Sequence, residues 1–375
     1  MTDLVAGSID AKRVAVASQW QLMWWAFRRH HLAMLGLVVV VILYVIAAVP
    51  GFFAINDPSR QNARAAFHPP QQVHWIDTAE DGSWRFSPYL HPYRLVRNPQ
   101  TLAAEYQEDR TRKVGLTLFG RGYTYSVLGL FETDIHLFAS SDPRQPLYLL
   151  GADRLGRCVW SRIMQGAQIS LSVGLVGVIL SLSIGVVLGG VSGYYGGKAD
   201  FVIQRVIEFI LSLPTIPIWL ALAAALPQDW PAVTQYFMIT LILSLTGWAQ
   251  LARVVRGRFL SLRTEEFVTA ARLDGASEAR IIFRHMLPSF MSHIIASITL
   301  AIPAMILAET SLSFLGLGLQ PPTISWGVLL REAQNIRSIA TAPWLFAPGV
   351  AVVVAVMALN FLGDGLRDAA DPYNK

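Results

Sequence analysis

Long uncharged runs set the architecture of this chain. Leu32 to Ala54 holds no charged residue. As a helix it is long enough for a hydrocarbon core of about 30 Å, which needs about 20 residues. Five further runs predict spans: Ser170–Ser192, Ile207–Leu226, Tyr236–Ala252, Phe290–Gly318 and Leu345–Leu362. Glycines in the second span suit close helix packing. The third carries Pro214 and Pro217, which membrane helices tolerate where neighbours re-satisfy the freed carbonyls. Ahead of the first span, Trp20–Phe27 is rich in tryptophan and fits a helix lying along the headgroups. Between the first two spans the pattern changes. Asn56 to Leu149 is polar, aromatic and punctuated by proline. Val114–Phe119, Tyr123–Leu128 and Asp134–Phe138 look like strands, with Gly120 and Gly122 between the first two. A small β-rich domain is expected there, either as a docking surface or gate for a soluble partner or as a cap on the membrane part.

Composition agrees with the runs. Hydrophobic residues make up 53% and charged residues 15%, against about 25% charged in soluble domains. Mean hydropathy is +0.44. An ordinary soluble enzyme, a disordered chain and a nucleic-acid module are all excluded on this balance. The first span could be read as a signal peptide. Its apolar run exceeds the roughly 7–15 residues of that class, so an uncleaved helix is expected.

The net charge of +5 therefore reports membrane orientation rather than a nucleic-acid partner. Arg28 and Arg29 precede span one; Lys198 and Arg205 lie between spans two and three. Arg253, Arg256, Arg258, Arg263, Arg272, Arg280 and Arg284 fall between spans four and five, and Arg367 and Lys375 follow span six. With six spans all of these share one side, the inside, with both termini. The arginines of the long segment 55–150 do not count, because long loops escape the rule.

Chemistry-bearing motifs are sparse. A lone Cys158 excludes an intramolecular disulfide and a CxxC zinc site. There is no GxxxxGK[ST], HExxH or GxSxG, and no clustered metal-ligand set. No catalytic residue, metal or cofactor is expected on this chain.

The most informative stretch is Glu265–Pro288, EEFVTAARLDGASEARIIFRHMLP. Phe267, Ala270, Ala271 and Asp274 recur at helical spacing, and a second helical run covers Glu278–Met286. Gly275 stands between them, as a sharp turn requires. Pro288 fits the first turn of span five. By itself this is an amphipathic surface helix pair.

Its spacing resembles the EAA loop of ABC-importer permeases: EAA, three residues, Gly, nine residues, then I-x-L-P. The match falls on Thr269, Ala270, Ala271, Gly275, His285, Leu287 and Pro288. Thr269 stands in place of the glutamate and His285 in place of the isoleucine. LGADRLGRCVWSRIMQGAQISLSVG (150–174), ETSLSFLGLGLQPPTISW (309–326) and NFLGDGLRDAADP (360–372) are similar to the dipeptide and oligopeptide branch, although Cys158 replaces its usual aspartate. The resemblance covers roughly 150–372 and the first span, not the insert.

The resemblance implies an all-α polytopic membrane protein with six transmembrane helices of the type I ABC importer permease fold, plus a small β-containing periplasmic insert. The expected organisation is a cytoplasmic or interfacial segment 1–31, a first helix 32–54 and an insert 55–150. A permease core 151–365 then contains a coupling loop 263–288, and a cytoplasmic tail 366–375 follows. The implied location is the bacterial inner membrane. Implied partners are a sister permease, two ABC ATPase subunits that hold ATP and Mg, a periplasmic substrate-binding protein and membrane lipid, with no nucleic acid. Di- or oligopeptides are the expected cargo; an oligosaccharide, an opine or nickel is the alternative.

Candidate site residues follow. Glu266, Thr269, Ala270, Ala271, Gly275, Arg280, Arg284, His285, Leu287 and Pro288 would couple to an ATPase. Ala270 and Ala271 would be small enough to enter its groove, and the arginines would meet acidic groups there. Glu309, with Thr310, Ser311 and Ser313, would line the pathway, because a carboxylate inside a span is costly. The bland reading of Glu309 is a hydrogen-bonded structural acid. Asp153, Arg154 and Arg157 could form an outer gate or ion pairs with the insert. His293 reads as interfacial, and Asp364, Arg367 and Asp368 as a solvated cap. Rival classes are a secondary transporter, which would need internal repeats and ion ligands, and a membrane-anchored interaction protein.

Overall fold

A computed structural model of the chain describes residues 19–78, 84–97, 99, 104–142, 144–227, 229–335 and 340–370. The ends of the expected first segment (1–18) and tail (371–375) lie outside the described residues. Helix α1 (Gln19–Arg29) buries Phe27 and exposes Leu22, Trp24 and Trp25. Helix α2 (His31–Ala48) begins at His30, whose Nδ1 accepts from the Ala33 amide. It buries only Ala33, Gly36 and Val40 and leaves Val38, Val41 and Val45 exposed. Pro50 opens a short helix, α3 (Pro50–Phe53).

The centre of the molecule is the pair α4 (Val159–Tyr195) and α7 (Ala232–Leu262). Gly185, Gly189 and Gly193 form a four-residue stripe along α4. A Cβ at Gly189 would come within 2.4 Å of the Ala252 carbonyl, and one at Gly193 within 2.7 Å of that of Arg256. The backbones touch because the side chains are missing, the usual device of membrane helix pairs. Ser244 Oγ donates to the Gly177 carbonyl at 3.0 Å, and Ser181 Oγ to that of Ser244 at 3.1 Å. These bonds join the same pair one and two turns further along.

The third expected span is not one straight helix. It divides into α5 (Gly197–Ser212) and α6 (Thr215–Ala224), bent by 88°. Pro214 has no amide to donate, and its ring pushes the preceding residue out of the helical region. Leu213 accordingly has ψ 139°. Among the described residues five helices are long and apolar enough to cross a membrane, and six if the bent pair counts as one. After α7 come α8 (Glu266–Leu273) and α9 (Glu278–Arg280), then α10 (Met291–Phe314), α11 (Trp326–Glu332) and α12 (Ala347–Ala370).

Between α3 and α4 the chain forms strands β1 (Val73–Thr78), β2 (Trp84–Leu90), β3 (Tyr93–Arg97), β4 (Ala104–Glu108), β5 (Val114–Val127) and β6 (Phe131–Ser140). An antiparallel sheet has the order β1-β2-β5-β6, and β3 and β4 pair separately. The two strands expected at 114–119 and 123–128 are one strand. Gly120 and Gly122 bend it instead of ending it: Phe119 has φ 52°, and the register shifts between Arg121 and Tyr125. Gly122 leaves room for the His136 ring, which a Cβ would meet at 2.6 Å. Leu90, Val114, Leu116 and Leu147 close over Ile55 just beyond the first span.

His68 sits among the rings of Tyr93, Tyr106 and Tyr148. Burial lowers its pKa to about 4, partly offset by its Nδ1 hydrogen bond to the Pro69 carbonyl. An unfolded histidine takes up its proton near 6.5. Between those values the unfolded chain binds more protons, so the stabilisation is present above pH 6.5 and is lost as pH falls towards 4. Thermal unfolding of purified protein at pH 7 and pH 5 should show a smaller drop for His68→Gln than for the parent.

Candidate functional site

The stretch that resembles a coupling loop packs on the ends of α4 and α7. Val268, Ala271, Ile281, Met286 and Phe290 are buried against Tyr194, Val255 and Phe259. Gly275 has φ +75°. The Ala276 amide reaches back to the Ala271 carbonyl at 3.0 Å, which closes α8 in a Schellman-type turn. Ser277 then caps α9, accepting from the Arg280 amide. The chain continues as a π-helical turn over Ile281–Met286 and one more turn over Leu287–Ser289. Pro288 lies in that last turn, before the break at Phe290, so α10 starts after it rather than on it.

Two neighbouring alanines take different roles. Ala271 faces the core, whereas Ala270 is exposed, because consecutive helical residues point about 100° apart. Ala271 is therefore not available to an external groove. The open face carries Glu266, Thr269, Ala270, Arg280, Arg284 and Pro288, with His285 and Leu287 half-buried. It also carries three large apolar side chains, Phe267, Leu273 and Phe283, with Leu273 84% exposed. Helical spacing in the sequence marks Phe267, but no periodicity marks Leu273 or Phe283. The signal was a leucine directly before Asp274-Gly275, where a solvated helix end ordinarily carries polar residues.

Glu309 is fully buried, and its carboxylate is enclosed by hydroxyls. Ser313 and Ser325 donate to Oε1, each at 2.8 Å, and Ser170 to Oε2 at 3.3 Å. Each serine oxygen also accepts a backbone amide: Leu319 on Ser313, Val328 on Ser325 and Trp326 on Ser170. The acid thus ties α4, α10 and the returning segment 315–325 together. Thr310 and Ser313 are buried with it and only Ser311 is exposed. Of His293 the structure describes the helical backbone alone.

That geometry gives Glu309→Gln a defined outcome. An amide keeps one acceptor, and the rotatable serines can accept from its NH₂. Uptake should keep its KM within about twofold while the thermal midpoint falls. Glu309→Ala should cost more stability, since each buried hydroxyl left unpartnered costs about 1–3 kcal/mol. Loss of uptake by Glu309→Gln at unchanged thermal stability would restore the pathway role.

Asp153 and Arg157 pair with each other and with Arg162 and Glu332, which the sequence did not nominate. Arg157 Nε lies 2.7 Å from Asp153 Oδ2, and its Nη2 lies 2.8 Å from Glu332 Oε1. Arg162 bonds both Asp153 and Glu332. The ion pairs therefore join the start of α4 to α11, not to the insert, and Arg154 stays exposed.

A cavity of about 280 Å³ opens between α4, α6, α7 and α10. Ser181, Trp219, Thr246, Gln250 and Ser297 put polar atoms on an otherwise apolar wall, and no charged residue lines it among the described residues. Trp219 Nε1 donates to Thr246 Oγ1 at 3.1 Å. The glutamine within the Tyr236–Ala252 run was the visible clue.

Residues 185–374 match the model of the binding-protein-dependent transport system inner membrane component. Residues 18–70 match the N-terminal TM domain of oligopeptide transport permease C. The chain belongs to the dipeptide/oligopeptide ABC-permease family. It is 34% identical over 256 residues to the oligopeptide transport system permease protein OppC of Bacillus subtilis (strain 168), 68% of this chain and 79% of that one. To the dipeptide transport system permease protein DppC of the same organism it is 39% identical over 273 residues, covering 71% and 83%. To the glutathione transport system permease protein GsiD of Pectobacterium atrosepticum it is 40% identical over 226 residues, covering 60% and 73%. The protein is thus a multi-pass permease subunit of a binding-protein-dependent transport system, helical with several apolar spans.

Proposed function

We propose that this permease carries di- or oligopeptides inward as one half of a heterodimer with a sister permease of the type I importer fold. Two ABC ATPase subunits bind ATP and Mg and close beneath it, and a periplasmic binding protein delivers the cargo. The bent pair α5–α6 counts as the third of six spans. Both termini are cytoplasmic, the insert 55–150 is periplasmic, the core 151–365 holds the pathway and 366–375 forms the tail. Loop 263–288 is the cytoplasmic coupling element.

The observation that carries this reading is the paired short helices around Gly275. One face is fixed to the ends of α4 and α7, and the other offers exposed apolar and arginine side chains. Such a lever converts closure of a partner into rocking of the spans, a rigid-body switch biased by nucleotide. Relatives named for oligopeptide and dipeptide transport support the cargo class. The uncharged cavity wall fits a pathway that binds peptide backbone rather than selecting charge, and leaves selection to the binding protein. It also admits a neutral oligosaccharide or an opine.

Affinity purification from native membranes in mild detergent tests the assembly. A sister permease, ATPase subunits and peptide-stimulated ATP hydrolysis in proteoliposomes are expected. A chain that purifies alone under gentle conditions overturns the assignment, and stimulation by a sugar but not by peptides overturns the cargo.

A further inference from the structure

The β5–β6 hairpin follows the chain back toward the membrane. Its contacts with the end of the first span fall on Phe52, Gly51 and Ala48. Phe119 lies near Phe52, with ring centroids 6.2 Å apart. Further along, the Tyr125 ring packs directly on Gly51, and His136, paired across the hairpin with Gly120, sets Nδ1 2.7 Å from the Gly51 carbonyl oxygen. Leu128 shares a cavity wall with Ala48 of α2, with Asp57 and Pro58 just past α3, and with Gln165 and Gln168 of α4. The hairpin from Phe119 to Leu128 thus lies alongside Phe52, Gly51 and Ala48, at the outer end of the first span. From Tyr125 to the tip at Leu128 and Gly129 is three or four residues, about 10–13 Å at the rise of a strand.

The turn itself is chemically odd for a water-facing loop. Leu130 N–H closes it on the Val127 carbonyl at 2.9 Å, and its central residues Leu128 and Gly129 have φ 51° and 71°. Left-handed positions of that kind ordinarily go to Asn, Asp or Gly. Here a leucine accepts the strained conformation. Leu128, Leu130 and Phe131 are 63%, 79% and 60% exposed. From Gly122 to Phe131 there is no charged residue, and Tyr123 and Tyr125 stand just above the turn, where aromatic rings mark a membrane interface. Beside it, the exposed stripe Val38, Val41, Val45 runs up α2 to Ala48. That stripe belongs to a helix apolar and long enough to span. The apolar tip continues the lipid-facing surface of the first span.

We propose that the Leu128–Phe131 turn is a lipid anchor, which seats Leu128, Leu130 and Phe131 among the acyl chains beside the first span. The partner is the bilayer itself. The anchor holds the inserted sheet against the membrane surface, with the Gly51 contacts as its second point of attachment.

The test uses the assembled transporter in lipid nanodiscs. Cys158 is enclosed, so Leu130→Cys and Phe131→Cys each take a nitroxide label, with the labelled parent as blank. Thr111→Cys, in the exposed turn between β4 and β5, is the water-facing control. Labels at 130 and 131 are expected to be relaxed several-fold more by dissolved oxygen than by a water-soluble nickel chelate, with the order reversed at 111. Relaxation by the chelate at 130 and 131 to the extent seen at 111 places the tip in water and overturns the anchor. Protection from both reagents places it against protein, such as a sister permease, and also overturns it. No transport is read, so either result stands apart from the peptide assignment.

Discussion

Arg162→Leu should destabilise the folded protein by about 3–5 kcal/mol, the usual range when one partner of a buried ion pair is removed. Arg162 and Asp153 are 2% and 1% exposed. Arg162 Nη1 bonds Asp153 Oδ2 and both oxygens of Glu332, the latter at 3.1 and 3.2 Å. Asp153 Oδ1 also accepts the Leu155 and Arg157 amides at 2.8 and 3.0 Å. Two cations and two anions balance in a space that water barely reaches. Without Arg162, two carboxylates share Arg157 alone and repel each other across the gap. Arg162→Lys keeps the charge but not the planar fork and should fall between. The double variant Arg162→Leu with Glu332→Gln should recover part of the loss, because it removes the stranded charge together with its partner. Thermal midpoints of the four proteins in one detergent decide this. An Arg162→Leu midpoint equal to the parent's would mean that the cluster contributes nothing. The cluster has a mechanical consequence as well: α11 and the start of α4 should move as one body during transport.

Gly275→Val should separate ATP hydrolysis from uptake. An added Cβ at Gly275 meets nothing within 4 Å, so crowding is not the issue. The cost lies in φ +75°, where an L side chain loses about 1–2 kcal/mol and a β-branched one more. Such a strain lowers the ratio of the native turn to its alternatives by roughly 5–30-fold. The turn sets the angle between α8 and the run that begins at Glu278, so Phe267, Leu273 and Phe283 would no longer present one surface. Uptake should fall by up to that factor while ATPase activity persists, and the thermal midpoint should drop by only a few degrees. Gly275→Asn, which tolerates the left-handed region, should stay near the parent. Normal uptake by Gly275→Val would sink the coupling role of this turn.

The sequence by itself determined what depends on neighbours along the chain. Apolar runs marked the spans because a hydrocarbon core fixes their length. The glycines of α4 announced close packing because four-residue spacing repeats one helical face. Gly275 announced its turn because only positive φ explains a glycine between two helical runs with charged flanks. The EAA-like spacing, which is local, carried the family. Tertiary structure alone decided the rest. Glu309 finds Ser170, 139 residues away, and Arg162 finds Glu332, 170 residues away. No periodicity predicts such partners, because burial and pairing are settled only when helices meet. Ala270 and Ala271 looked alike in sequence, and their faces parted once α8 lay on Tyr194 and Phe259. Gly120 and Gly122 read as a strand end, yet the ring of His136 and the bulge beside it made them a bend. The break at Pro214 was a local signal with two outcomes, a tolerated kink or an 88° corner. Only the path of the surrounding helices selected the corner.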